Sequence, residues 1–340
     1  MEIDTGGDAM VADEFLSILK QRNTALDAFF YDVGKLSKAE KNQLIEANVR
    51  EGSIIIVPPS QSDEPLKLLK HPRDFIAGDH HKVTKFVIAG VGSSDVGAAA
   101  LARNVADFFA EPVAAIVAGY GLEDLVSEAL GGWFVLGQAN RRARIVIDEN
   151  HQFSPDEDIA EQDIPFVKGN PDSTTLLHLL LSGKVKCDLL LGHSKGCLSI
   201  ANALFGLIDY GYSTIISNRI NQTKVITTGA VVELPEHFDH YCQFLGSIDW
   251  FGGLNSRIGL PFHAVPGAFH HTNTQLPFSL SVEQVLAAAI DEDDIPAIEA
   301  DATPKPKLDH LLEQSLNATN TSTSENELQQ DDLLADAVSP

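Results

Sequence analysis

The chain has 340 residues, enough for one large domain or two small ones, and its 44% hydrophobic content is that of an ordinary globular protein able to bury a full core. Its 24 basic residues against 48 acidic ones give a formal charge of −24, which opposes docking on phosphate backbones or anionic lipid, where affinity comes from Lys and Arg displacing counterions. No run approaches the roughly 20 apolar residues that span a bilayer, the acidic start Met1-Glu2-Ile3-Asp4 is unlike a secretory signal, and Cys187, Cys197 and Cys242 have neither disulfide nor zinc spacing, so the expectation is a cytoplasmic protein with no nucleic-acid partner and no integral membrane segment.

In chain order, Ser37-Lys38-Ala39-Glu40 has the Ser-x-x-Glu form of a capping box and predicts a helix through Leu44, Ile45 and Ala47. Ser53 to Val57 reads as a strand stopped by Pro58-Pro59. Residues 1–81 are expected to form an N-terminal extension or accessory layer ahead of the core. From Lys85 onward, short β-rich apolar runs alternate with helical segments, the pattern of a parallel sheet covered on both faces. The runs are Lys85 to Ala89, Val113 to Ala118, Cys187 to Leu191, Lys224 to Val232, Cys242 to Ile248 and Pro261 to Val265. Helices are predicted between them, as at Ala98 to Phe109 and Leu198 to Ile208. The expected fold class is therefore α/β, a mostly parallel central sheet with helices on both faces spanning residues 82–289.

Within that core, residues 131–172 are less regular, with a basic cluster at Arg141, Arg142 and Arg144 and an acidic run from Asp156 to Asp163, and are expected to be an insertion or cap. Residues 290–340 are rich in Pro, Ser, Thr, Asn and acid. From Asp291, 13 acidic residues face only Lys305 and Lys307, so this tail carries nearly half of the whole charge imbalance. It has too few large apolar residues to offset its ordering entropy and is expected to stay disordered, available to a basic protein partner.

Chemistry concentrates at Gly192-His193-Ser194-Lys195-Gly196, which follows the apolar run Cys187 to Leu191 directly and opens a helical pattern through Leu198, Ile200, Ala201 and Leu204. Strand, sharp turn and helix are what a nucleophile elbow requires. The flanking glycines fit a crowded turn in which a β-carbon would strike the neighbouring strand or helix. The motif resembles the Gly-x-Ser-x-Gly of the α/β-hydrolase superfamily, the esterase, lipase and thioesterase-like serine hydrolases. That resemblance covers roughly Lys82 to Ala289.

The resemblance implies an acid and then a histidine in chain order after Ser194. Asp249 follows the run Cys242 to Ile248, with Asp239 and Glu233 as alternatives. Gly267-Ala268-Phe269-His270 resembles the family's Gly-x-x-His ending, so His270 is the first choice of base and His271 the alternative. The oxyanion hole implied by the family would take one N–H from Lys195 and one from Val91, in Gly90-Val91-Gly92-Ser93-Ser94. Ala89 stands where the family's loop has His, a departure from its pattern.

Other readings are weaker on chemical grounds. The loop Gly90 to Gly97 has Asp95 where a dinucleotide fingerprint needs Gly, and Ala98-Ala99 where a phosphate loop needs Lys-Ser/Thr. His237-x-Asp239-His240-x-Cys242 fits no common zinc spacing. The expectation is a serine hydrolase acting on a small-molecule carboxylic ester or thioester, with no cofactor. The alternatives are an acyltransferase using the same residues, or a non-catalytic binding or scaffold protein on the hydrolase fold.

Overall fold

The computed structural model describes residues 26–47, 49–90, 93–118, 170–209, 222–236, 238, 240–257 and 259–290. Residues 1–25, all but residues 170–172 of the expected insertion 131–172, and the tail from residue 291 onward lie outside the described residues, as do Val91 and Asp239.

Among the described residues, eight strands form one sheet: β1 (Ile54–Val57), β2 (Lys67–Leu69), β3 (Lys85–Ile88), β4 (Val113–Ile116), β5 (Leu189–His193), β6 (Lys224–Thr228), β7 (Tyr241–Gly246) and β8 (His263–Val265). Their order is β2-β1-β4-β3-β5-β6-β7-β8. Strands β3 to β8 run parallel, and β1 pairs antiparallel with both β2 and β4. The architecture is thus α/β with a mostly parallel sheet, compatible with an α/β-hydrolase fold.

The sheet is two strands longer than the six runs expected from Lys85 onward. Ile54 pairs with Ile116 and Val57 with Val113, so the leader supplies part of the sheet itself. The missed strand β2 is short, and its residues Lys67, Leu68 and Leu69 are exposed or half-buried, as suits an edge and as gives little apolar signal.

Side-chain alternation divides the core. Ile55, Val87, Ala115, Leu189 and Leu191 point to one face, under α3 (Asp95–Phe109) and the last described helix, Val282–Ile290. Ile54, Phe86, Ile88, Ile116 and Leu190 point to the other, under α4 (Pro171–Leu181) and α5 (Lys195–Asp209), which pack on each other. Burial on both faces explains why these strands read as continuous apolar runs. The earlier helices are α1 (Lys38–Ala47) and α2 (Pro72–Ala77). At the start of α1, Glu40 N–H donates to Ser37 Oγ (3.2 Å) and Ser37 N–H to Glu40 Oε2 (2.7 Å), the capping box that the sequence predicts.

Parallel strands end at the same edge. The chain therefore leaves β5, β7 and β8 on one side of the sheet, where connecting loops can converge.

Because β1 lies between β2 and β4 in the sheet, Ile55→Ala, at a fully buried position, should lower the free energy of unfolding by about 2–5 kcal/mol in urea denaturation. A loss below about 1 kcal/mol would mark the leader as a peripheral layer.

Candidate active site

Ser194 sits between β5 and α5 with φ at +53°, a left-handed conformation that costs a non-glycine residue about 1–3 kcal/mol. Its surroundings hold it there. Ser194 N–H donates to Thr228 O on the adjacent strand (2.8 Å), and Cys197 N–H closes the first helical turn onto Ser194 O (3.0 Å). A β-carbon on Gly196 would lie 2.0 Å from Ile88 O, and one on Gly192 would lie 2.7 Å from Cys197 N. Both contacts are with backbone, so neither position accepts a side chain without moving the strand or the helix.

The loop after β7 carries Asp249, fully buried at the start of α6 (Trp250–Leu254). The loop after β8 carries His270, which is 2% exposed. His270 Nε2 lies 3.0 Å from Ser194 Oγ, and His270 Nδ1 lies 2.8 Å from Asp249 Oδ2. A carboxylate accepts only, so Nδ1 carries the ring proton of neutral His270 and the Ser194 hydroxyl donates to Nε2. Asp249 Oδ1 accepts from Gly252 N–H (2.7 Å), so both of its oxygens are engaged. Gly252 is needed for this approach, because a β-carbon there would fall 2.4 Å from Asp249 Oδ2 and equally close to Gly229 O.

The ring of His270 is boxed by aromatics. Phe251 meets it edge-on at 4.8 Å between centroids, Phe30 at 5.9 Å, and His193 tilts against it at 5.0 Å. These contacts restrict rotation of the imidazole away from Ser194.

Among the described residues, the candidates His271 and Glu233 have other partners. His271 Nε2 faces Pro277 O at 3.1 Å and its ring packs on Phe29, so the imidazole within reach of Ser194 is that of His270. Glu233 is ion-paired with Arg257. The N–H of buried Lys195 is at the N-terminus of α5, directly after Ser194. Cys197 faces a small apolar cluster with Ala201, Ala230 and Val232, and its thiol reaches Thr228 O. No group of three or more His, Cys, Asp or Glu side chains among the described residues is arranged to hold a metal ion.

Sequence reasoning missed the contribution of residues 26–32. A carboxylate from this segment, Asp27, accepts from the N–H of Ser94 (3.0 Å) and from the Ser94 hydroxyl at the N-terminus of α3. An acid therefore already occupies the helix end that a phosphate would need. The signal, in retrospect, is the triplet Phe29-Phe30-Tyr31 set between Asp27 and Asp32.

Burial pushes the Asp27 carboxyl up from its usual 3.8 to about 7, against the downward pull of its Ser94 hydrogen bonds. The folded chain then holds this proton to higher pH than the unfolded chain does, so its contribution to stability declines as pH rises from about 4 to about 7 and is flat above. Asp27→Asn removes this dependence. Its stability relative to the parent should improve by on the order of 2–4 kcal/mol between acidic and mildly alkaline pH in urea titrations; a difference independent of pH would contradict the buried acid.

Searches against protein-family models, curated proteins and solved structures each return no match to this chain.

Proposed function

We propose that the protein is a serine hydrolase that cleaves a carboxylic ester or thioester through an acyl-enzyme on Ser194. The observation that carries this reading is the continuous hydrogen-bonded series from Ser194 Oγ to His270 Nε2 (3.0 Å) and from His270 Nδ1 to Asp249 Oδ2 (2.8 Å), with the serine on a strained strand-to-helix turn.

In this reading the serine hydroxyl, a weak nucleophile at neutral pH, passes its proton to His270 Nε2 as Oγ bonds to the acyl carbon. Asp249 holds the Nδ1–H tautomer and stabilises the imidazolium that results. The bond from acyl carbon to the leaving oxygen or sulfur then breaks, and His270 returns the proton to that atom. Water repeats the sequence: it loses a proton to His270, attacks the acyl carbon, and the released Ser194 Oγ is reprotonated.

Negative charge develops on the carbonyl oxygen in both halves. The Lys195 N–H at the start of α5 is the proposed donor on one side, and the N–H of Val91, which lies outside the described residues, the expected donor on the other. An acyl acceptor other than water would make the same residues an acyltransferase.

A fluorophosphonate probe tests the reading. The purified chain should become covalently labelled, and Ser194→Ala should abolish the labelling while the protein stays folded. Folded parent protein that does not label would favour the non-catalytic binding or scaffold alternative. For the base, His270→Ala and Asp249→Ala should each lower ester turnover by at least about a hundredfold. His271→Ala should retain turnover within about tenfold of the parent, and the reverse ranking of the two histidine variants would reassign the base.

A further inference from the structure

We infer that Tyr31 and His193 are positioning residues for His270, forming a buried relay that ties the base to the turn carrying the nucleophile; this rests on the serine-hydrolase reading of the site. The relay has three bonds. Gly90 N–H donates to Tyr31 Oη (2.7 Å), the Tyr31 hydroxyl meets His193 Nδ1 (2.9 Å), and His193 Nε2 meets His270 O (2.8 Å). Tyr31, His193 and His270 are each at most 2% exposed.

The donor directions are forced from both ends. A backbone carbonyl accepts only, so His193 Nε2 must carry the proton that goes to His270 O. In a neutral ring, Nδ1 then has only a lone pair, and it accepts the proton of the Tyr31 hydroxyl while that oxygen accepts from Gly90. The ring stays neutral because burial, with His270 nearby, pushes its pKa down to about 3. Without Tyr31 the Nδ1–H tautomer becomes available, and it would turn the Nε2 lone pair toward the oxygen of His270.

The geometric consequence is specific. His270 stands on the loop after β8, yet its carbonyl is fixed to His193, the residue immediately before Ser194 on β5. Base and nucleophile are therefore referenced to one rigid strand end, and their spacing does not depend on the loop alone. The segment bearing Tyr31 is itself stitched to that loop. Phe30 O accepts from Thr272 N–H (2.7 Å) and Thr272 Oγ1 (2.9 Å), and Asp32 Oδ1 accepts from Thr274 N–H (2.7 Å) and Thr274 Oγ1 (2.9 Å).

The test combines kinetics with a spectroscopic signature. With 4-nitrophenyl butyrate, Tyr31→Phe should lower kcat about ten- to a hundredfold and leave KM within about threefold, because the lost contacts position the base and not the substrate. His193→Gln keeps an amide N–H at the place of Nε2 and should retain at least about tenfold more kcat than His193→Leu. Nitrogen-15 NMR of the unmodified chain should show His193 as the neutral Nε2–H tautomer between about pH 5 and pH 9, a readout that needs no variant to fold. Parent-like kcat in Tyr31→Phe, equal rates in the Gln and Leu variants, or an Nδ1–H tautomer in the parent would each overturn the inference. Fluorophosphonate separates the two levels: a parent chain that does not label sinks the hydrolase reading and this inference with it, whereas parent and Tyr31→Phe labelling at the same rate sinks the inference alone.

Discussion

The left-handed turn at Ser194 is the constraint on which the site depends. Holding a residue with a β-carbon at a φ of +53° costs free energy that must come from the surroundings. The surroundings here are the centre of the sheet, with β3 and β6 on either side of β5, and a helix packed so close that Gly196 touches the backbone of Ile88. A hydroxyl placed by such a turn cannot drift, because any relaxation of φ moves the whole start of α5. Packed interiors resist such displacement, so sheet rigidity becomes precision at one oxygen atom.

Charge imposes a second demand. Asp249 is fully buried, and an ionised carboxylate out of water is tolerable only when its oxygens are engaged. One accepts from Gly252 N–H and the other faces His270 Nδ1. The acid is thus held by a short helix start, the histidine by the acid and by its carbonyl, and the serine by the turn. Each member is fixed by at least one bond outside the series from Ser194 Oγ to Asp249 Oδ2. The leader adds to this arrangement, since residues 27–32 bond to the loops after β3 and β8 as well as to His193.

Much of this was legible in the sequence for reasons that can be named. Strands β3 to β6 are buried on both faces and so appear as unbroken apolar runs, and the glycines flanking Ser194 mark a turn that only small residues allow. Chain order placed Asp249 and His270 after late strands, and the structure brings them together with Ser194. The choice between His270 and His271 was not legible, because adjacent residues differ only in which way the backbone turns them. Edge strand β2 was missed since its half-exposed residues lack periodicity, and the role of residues 27–32 was missed since their partners lie some 60 to 240 positions away. Long-range hydrogen bonds of single side chains leave no periodic trace in a sequence.

Whether the Ser194 oxygen forms a covalent acyl intermediate can be read by rapid mixing of excess 4-nitrophenyl acetate with the purified chain, followed by intact-mass measurement of the quenched protein. The expected outcome is a burst of nitrophenolate approaching one equivalent per chain and an acetyl adduct that maps to Ser194. Nitrophenolate release without a burst or adduct, or an adduct on any other residue, would contradict it.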